Sequence, residues 1–203
     1  KAKYGAKISF REAFASSINS VFGKLGIHNL GREVMSEYAG RFLFNRSIPF
    51  DLPVDMSRTR IPDDDYGLAE IACGFNRQTR ISPLHGALLA SAAANNGVIM
   101  APFLVERISN EYGEILYQRQ PVPLASPITG KTAESLKILM VETILTGTCR
   151  KSFKWLRRKD VFKNVDLGAK TGNINDKTDQ YKYDWVLAFA IPPNGDKAIC
   201  VAV

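Results

Sequence analysis

Cysteine is scarce: Cys73, Cys149 and Cys200 are the only three, far apart and set among apolar or small neighbours. That excludes a disulfide framework and offers no metal-ligand spacing, so buried free thiols are the expectation. Histidine is scarcer still; His28 and His85 stand alone and read as structural rather than catalytic. No apolar run reaches the roughly 20 residues that span a bilayer, and the first residues carry no signal-peptide pattern. Internal repeats and low-complexity tracts are missing as well. What is present is a chain of 203 residues, 45% hydrophobic and 23% charged, which excludes disorder and matches a globular domain.

The 27 basic and 20 acidic residues leave a net charge of +7. Much of it sits in Arg150, Lys151, Lys154, Arg157, Arg158 and Lys159. That run admits two readings: a polyanion or membrane-surface patch, or a solvated face with Phe153, Trp155 and Leu156 turned inward. The second is the ordinary outcome and is the expectation here; no nucleic-acid partner is expected.

Ser9-Phe10-Arg11-Glu12 has the form of a capping box. The short helix it starts runs into the polar stretch Ser16 to Ser20, whose side chains compete for backbone hydrogen bonds. A second helix resumes with Val21, Phe22 and Leu25 and is predicted to stop at Gly26; a third covers Arg32 to Leu43. Asn45 to Tyr66, with Pro49, Pro53, Pro62 and Asp63-Asp64-Asp65, reads as a long surface excursion. Ser82-Pro83 is a strong helix start, and Leu84 to Ala94 follow as a core helix closed by Asn95-Asn96-Gly97. Phe103–Ile108 and Ile115–Gln118 pattern as a hairpin. A proline-rich linker (Pro121, Pro123, Pro127) leads to a helix from Lys131 to Leu145. The rest is strand-like: Asp166 to Thr171, Trp185 to Ile191 and Ala198 to Val203, with Asn194-Gly195 as a turn signal. The whole is α+β, helices first and an antiparallel sheet last.

Some local patterns imitate sites. Gly130-Lys131-Thr132 resembles the end of a phosphate loop, but Ala125 stands where the pattern needs glycine. Asp63-Asp64-Asp65 lacks the spaced partners of a cation loop; Asp176 and Asp179 read as loop acids. No metal and no cofactor is expected. Two triplets carry more weight: Ser17-Ile18-Asn19 on an interhelical elbow, and Lys170-Thr171-Gly172 near the end of a strand. They match the second and third elements of a serine acyltransferase set, S-x-x-K, S-x-N and K-T-G, in that order.

With these motifs the chain resembles the penicillin-binding-protein transpeptidase (β-lactamase-like) family along essentially its whole length. Ala13 to Phe22 is similar to the family's S-x-N region. Ala72-Cys73-Gly74-Phe75 with Ile81-Ser82-Pro83-Leu84 is similar to its glycine turn and "TPL" helix start. Ala92 to Gly97 followed by Pro102 resembles its "ANGG…P" stretch, and Thr146-Gly147-Thr148 the "GT" at the end of its next helix. Gly168 to Gly172 and Asp184-Trp185-Val186 resemble the third motif and the strand after it.

The resemblance implies one transpeptidase domain over 1–203, with 1–147 the mainly helical part and 148–203 the Lys-Thr-Gly strand and sheet, incomplete at both ends. It implies acyl transfer from D-alanyl-D-alanine stem peptides, through a serine acyl-enzyme, to crosslink peptidoglycan. Ser17 would relay a proton to the leaving amine, Asn19 would bond the donor peptide and the active-site lysine, and Lys170 would supply positive charge for relay and for the substrate carboxylate. Thr171 would bond that carboxylate. Gly172 would let an extended peptide lie beside the strand, and the Asn173 N–H would be an oxyanion donor. Asn173 stands where the family has Thr or Ser, which predicts altered affinity rather than lost binding.

The nucleophile is the larger departure: none of the serines from Ser9 to Ser152 has lysine three residues on. The expectation is a fragment of a membrane-anchored, periplasmic parent that binds β-lactams. The fragment itself is expected to be inactive, and to associate with itself or a companion segment through uncovered apolar surface. The alternative is a non-catalytic scaffold module of the envelope, and Ser-x-x-Lys upstream of Lys1 would discriminate the two.

Overall fold

The structure, a computed structural model, describes residues 7–194 and 197–203. Ser9 caps as its position predicts: its Oγ accepts the Glu12 N–H at 3.2 Å and opens helix α1, Phe10–Ala15. The chain then turns over at Ser17, whose φ of 54° lies in the left-handed region. The Ser17 N–H donates to Phe14 O at 3.1 Å and the Ile18 N–H to Ala13 O at 3.0 Å. This is the bond pair of a Schellman stop, with serine where glycine is usual. Helix α2, Asn19–Leu25, leaves from it.

Gly26 does not stop that helix. It keeps helical angles (φ −57°, ψ −49°), and a π turn over Gly26–Leu30 carries the chain into α3, Gly31–Arg41. Its small size serves packing: a Cβ there would stand 2.5 Å from the Ala72 Cβ. Ala72 ends α4, Asp65–Ala72, which begins in the last two residues of the expected excursion and runs beyond it. The acidic run builds this helix rather than a free turn. Asp64 accepts the Gly67 N–H at 2.9 Å as its cap, and Asp63 pairs with Arg32 at 2.6 Å.

Helix α5, Pro83–Ala94, begins where Ser82 accepts the His85 N–H at 3.3 Å. It is buried along most of its length and lies on the main sheet, with Ala93 against Phe189 and Met140 in one core cluster. Thr129 caps α6, Gly130–Leu145, so Gly130-Lys131-Thr132 is a helix start. The main sheet is antiparallel in the order β5-β6-β7: Asp166–Asn175, Lys182–Ile191 and Ile199–Ala202. Register runs from Asp166↔Ile191 to Asn175↔Lys182. β5 thus extends beyond Thr171, and Lys170-Thr171-Gly172 sits inside it rather than near its end. On β7, Ile199 and Val201 alternate outward and, with Val203 beyond its end, stay exposed.

Two small ladders complete the fold. The proline-rich linker forms β4, Pro123–Ala125, which pairs with β1, Ile99–Met100; proline is tolerated there at the first position of an edge strand. The predicted hairpin is shorter than its pattern, with β2 at Arg107–Ser109 and β3 at Ile115–Gln118. Of the Asn194-Gly195 turn, Gly195 lies outside the described residues. Phe153 and Leu156 are partly buried as expected, but Trp155 is not turned inward: it is 60% exposed. The 150–163 segment is a string of turns with two short 3-10 pieces, and these leave Trp155 no face to pack on. The cysteines form no disulfide: Cys149 is buried, Cys73 and Cys200 are partly buried, and burial pushes the Cys200 thiol up to about 11.

His85 is structural, as expected. It is fully buried, its Nε2 donates to Phe42 O at 2.7 Å, and its ring lies 4.8 Å from that of Phe44. Its Nδ1 has no partner among the described residues. Burial, partly offset by the Phe42 carbonyl, depresses its pKa below the ordinary 6.5. Below 6.5 the unfolded chain therefore binds a proton that the folded chain resists, so stability falls as pH drops from 6.5 toward the folded-state value. Thermal melts between pH 7.5 and pH 5 should show this loss, and His85→Leu, though less stable at neutral pH, should lose that component of the slope.

Candidate active site

Lys170 occupies the middle of β5, and its side chain leaves the sheet on the face that receives α5. Its Nζ donates to Ser17 Oγ at 2.7 Å and to Thr171 O at 2.8 Å, and stands 5.8 Å from the Phe14 ring centroid. Residues 153 positions apart are thereby joined directly. Burial is the main influence on the ammonium and lowers its pKa below the usual lysine range. The left-handed turn at Ser17 aims the hydroxyl at that ammonium. A serine in such a conformation costs about 1 kcal/mol relative to glycine, and the Lys170 bond supplies a reason to keep the side chain.

The orientation of β5's backbone follows from the register. Val186 exchanges both backbone bonds with Val203, so its groups face β7 and those of Trp185 and Leu187 face β5. Their partners Gly172 and Lys170 are then the bonded pairs. Thr171 and Asn173, between and beyond them, turn N–H and C=O to the open edge. Two side chains confirm the alternation: Lys170 reaches Thr171 O, and Arg77 Nε reaches Asn175 O at 3.1 Å. A strand edge with exposed Gly172, whose added Cβ would meet nothing nearer than the Trp185 Cβ at 3.8 Å, can accept an extended peptide.

A third segment closes the group. Gly147 packs so tightly that an added Cβ would lie 2.0 Å from Ala15 O. The Thr148 N–H donates to that oxygen at 3.0 Å. The Thr148 hydroxyl then lies 2.7 Å from the Thr171 hydroxyl. Thr148 and Phe14 join this group of contacts although the two triplets do not contain them. Their only sequence signals are the Thr146-Gly147-Thr148 resemblance and an aromatic three residues before Ser17.

The structure therefore brings Ser17, Lys170 and Thr171 together. Asn19 opens α2 in an exposed position, and its side chain makes no hydrogen bond among the described residues. Asn173 is exposed two positions beyond Thr171. A cleft of about 980 Å³ lies at the far end of β5, where Ile174, Asn175 and Trp185 face Arg58, Arg80 and Pro83, and Ser17 and Lys170 do not line it. No cluster of metal-ligating side chains occurs among the described residues.

A half-buried, partly desolvated ammonium on a serine hydroxyl, beside an open strand edge, can move a proton and hold an anion. Comparison with known proteins identifies the family. The family model described as penicillin binding protein transpeptidase domain matches residues 1–203. The peptidoglycan D,D-transpeptidase PbpA of Mycolicibacterium smegmatis is 28% identical over 98% of this chain, which spans 39% of that relative's length. The crystal structure of PBPA from Mycobacterium tuberculosis superposes with a TM-score of 0.80 at 28% identity, covering 97% of this chain and 45% of that one. Its penicillin G acyl-enzyme complex gives 0.77 at 27%, covering 97% and 42%. The chain belongs to the penicillin-binding-protein transpeptidase domain family.

Proposed function

We propose that this chain supplies the substrate-side half of a serine D,D-transpeptidase site that crosslinks peptidoglycan stem peptides outside the cytoplasm. The 2.7 Å bond between Lys170 Nζ and Ser17 Oγ carries the reading, because it joins the second and third motifs of the family into one proton-relay pair. Ser17 passes a proton to the leaving amine. Lys170, already lowered in pKa by burial, tunes that transfer and attracts the carboxylate of the donor peptide. Asn19 bonds the donor peptide and the lysine of the nucleophile motif. Thr171, held by Thr148, offers a hydroxyl to the same carboxylate. Gly172 leaves room for the peptide, and the outward Asn173 N–H stabilises the developing oxyanion.

In this reading 1–147 and 148–203 are parts of one domain meeting at Thr148. β-Lactams acylate a protein in which these residues are complemented by a Ser-x-x-Lys nucleophile, and a membrane-anchored parent holds them at the outer face of the cytoplasmic membrane. The 203-residue chain has no such serine and is inactive by itself. The exposed Ile199, Val201 and Val203 support its association with itself or with a companion segment.

Incubated with a fluorescent penicillin, the 203-residue chain should show no covalent mass increase, while the chain joined to a Ser-x-x-Lys segment should take one equivalent. A stoichiometric adduct on any serine of the chain alone would refute the assignment of Ser17 to relay rather than attack.

A further inference from the structure

A second hollow, of about 550 Å³, opens beside the C-terminal end of α6 and shares no lining residue with the Ser17–Lys170 site. It is lined by Leu145, Arg150, Lys151, Lys154, Arg157 and Arg158. No acidic residue occurs between Glu142 and Asp160. None of these cations forms an ion pair among the described residues, although other surface lysines and arginines do. Capping of α6 does not account for them either. The Thr146 N–H takes Glu142 O at 2.9 Å and the Cys149 N–H takes Thr143 O at 3.2 Å, and no basic side chain bonds those carbonyls.

Apolar side chains are interleaved with the charge. Trp155 is 60% exposed within the same segment, Leu145 lines the hollow at 41%, and Val161 on the next turn is 75% exposed. Like charges gathered without counter-ions repel one another, and an exposed tryptophan keeps apolar area in water. One kind of partner answers both. A phosphate-bearing surface neutralises the cations, and an apolar layer just beneath it receives the indole and the aliphatic groups. A soluble polyanion would satisfy the charge alone.

We propose that this face of the protein docks on an anionic phospholipid bilayer, with the five cations on the headgroup phosphates and Trp155 at the headgroup boundary. The docking does not depend on the acyl-transfer reading, since it uses none of its residues. It would hold the domain at a lipid surface independently of any anchor elsewhere in a longer protein.

The test is co-sedimentation of the 203-residue chain with vesicles of phosphatidylcholine containing about a third phosphatidylglycerol, at roughly 0.1 M salt. Binding should be strong to these, absent with pure phosphatidylcholine, and weaker by about a thousandfold or more for the combined Arg150→Gln, Lys151→Gln, Lys154→Gln, Arg157→Gln, Arg158→Gln variant. All five side chains are exposed, so this variant should melt as the unaltered chain does. Tryptophan emission should shift to the blue on binding, and Trp155→Phe should abolish the shift, leaving Trp185 as a silent reporter. Equal binding to pure phosphatidylcholine, no binding at all, or binding to soluble polyphosphate as tight as to vesicles without the Trp155 shift would each overturn the proposal.

Discussion

Lys170→Ala should slow acylation by penicillin about a thousandfold in a protein that carries this chain together with a Ser-x-x-Lys segment, and should leave its thermal transition nearly where it was. Two opposing effects set the second half of that result. The variant loses the bonds to Ser17 Oγ and Thr171 O, each worth about 1 to 3 kcal/mol when one partner is charged. It also removes a half-buried ammonium whose folded-state pKa lies below the ordinary 10.5. Between those two values the unfolded chain binds more protons, so stability rises with pH through that window, and the cost of the charge is present in full below it. At neutral pH the losses and the relief therefore oppose each other. In the proposed relay acylation has no such compensation, because its cation is lost. Lys170→Arg should not restore the rate, since a guanidinium stays charged and its planar fork cannot replace a single ammonium on a hydroxyl. Stopped-flow acylation rates alongside melting curves give both readouts, and an acylation rate within about threefold of the unaltered protein would remove Lys170 from the site.

Gly147→Ala should cost about 2 to 3 kcal/mol of stability, lowering the melting temperature by roughly 4 to 12 °C in a chain of this size. The added Cβ would stand 2.0 Å from Ala15 O and 2.6 Å from its carbon, backbone atoms that no rotamer change can move aside. Relief requires the 146–149 turn to separate from α1. That breaks the Thr148 N–H bond to Ala15 O and carries Thr148 away from Thr171. It also loosens the base on which the Ser17 elbow is folded, so acylation should fall with stability. Gly40→Ala is the control: nothing lies within 4 Å of its added Cβ and the site is inside α3, so this change should stabilise by about 0.5 to 1 kcal/mol. Differential scanning calorimetry of the two variants distinguishes close packing at Gly147 from a general glycine effect, and a neutral Gly147→Ala would show that the three segments are not held as described.

What the sequence made legible was whatever rests on local chemistry. Ser9, Ser82 and Pro83 mark helix starts because a hydroxyl or a fixed φ acts within one turn. The two triplets could be recognised because their order along the chain and their settings, an elbow and a strand, were both readable. Features settled by distant partners were not. Gly26 reads as a stop in isolation, and only the approach of Ala72 shows that it is a packing position. Helix α4 was concealed because its capping aspartate belongs to an acidic run that also fits a solvated turn. β4 was concealed by prolines that an edge strand tolerates. Thr148 looks like an ordinary helix-end residue until β5 places Thr171 beside it. The inward reading of Trp155 rests on the ordinary form of a solvated charged face, and it fails where short turns provide no face to cover the indole.

The proposed relay requires Ser17 and Lys170 to act as one unit, and a double-mutant cycle measures that directly. In the chain joined to a Ser-x-x-Lys segment, acylation rates are compared for Ser17→Ala, Lys170→Ala and the pair. If the 2.7 Å bond is the working relay, the double variant should be about as slow as the slower single variant. Two losses that simply multiply would mean that the residues act separately and that their contact is only structural.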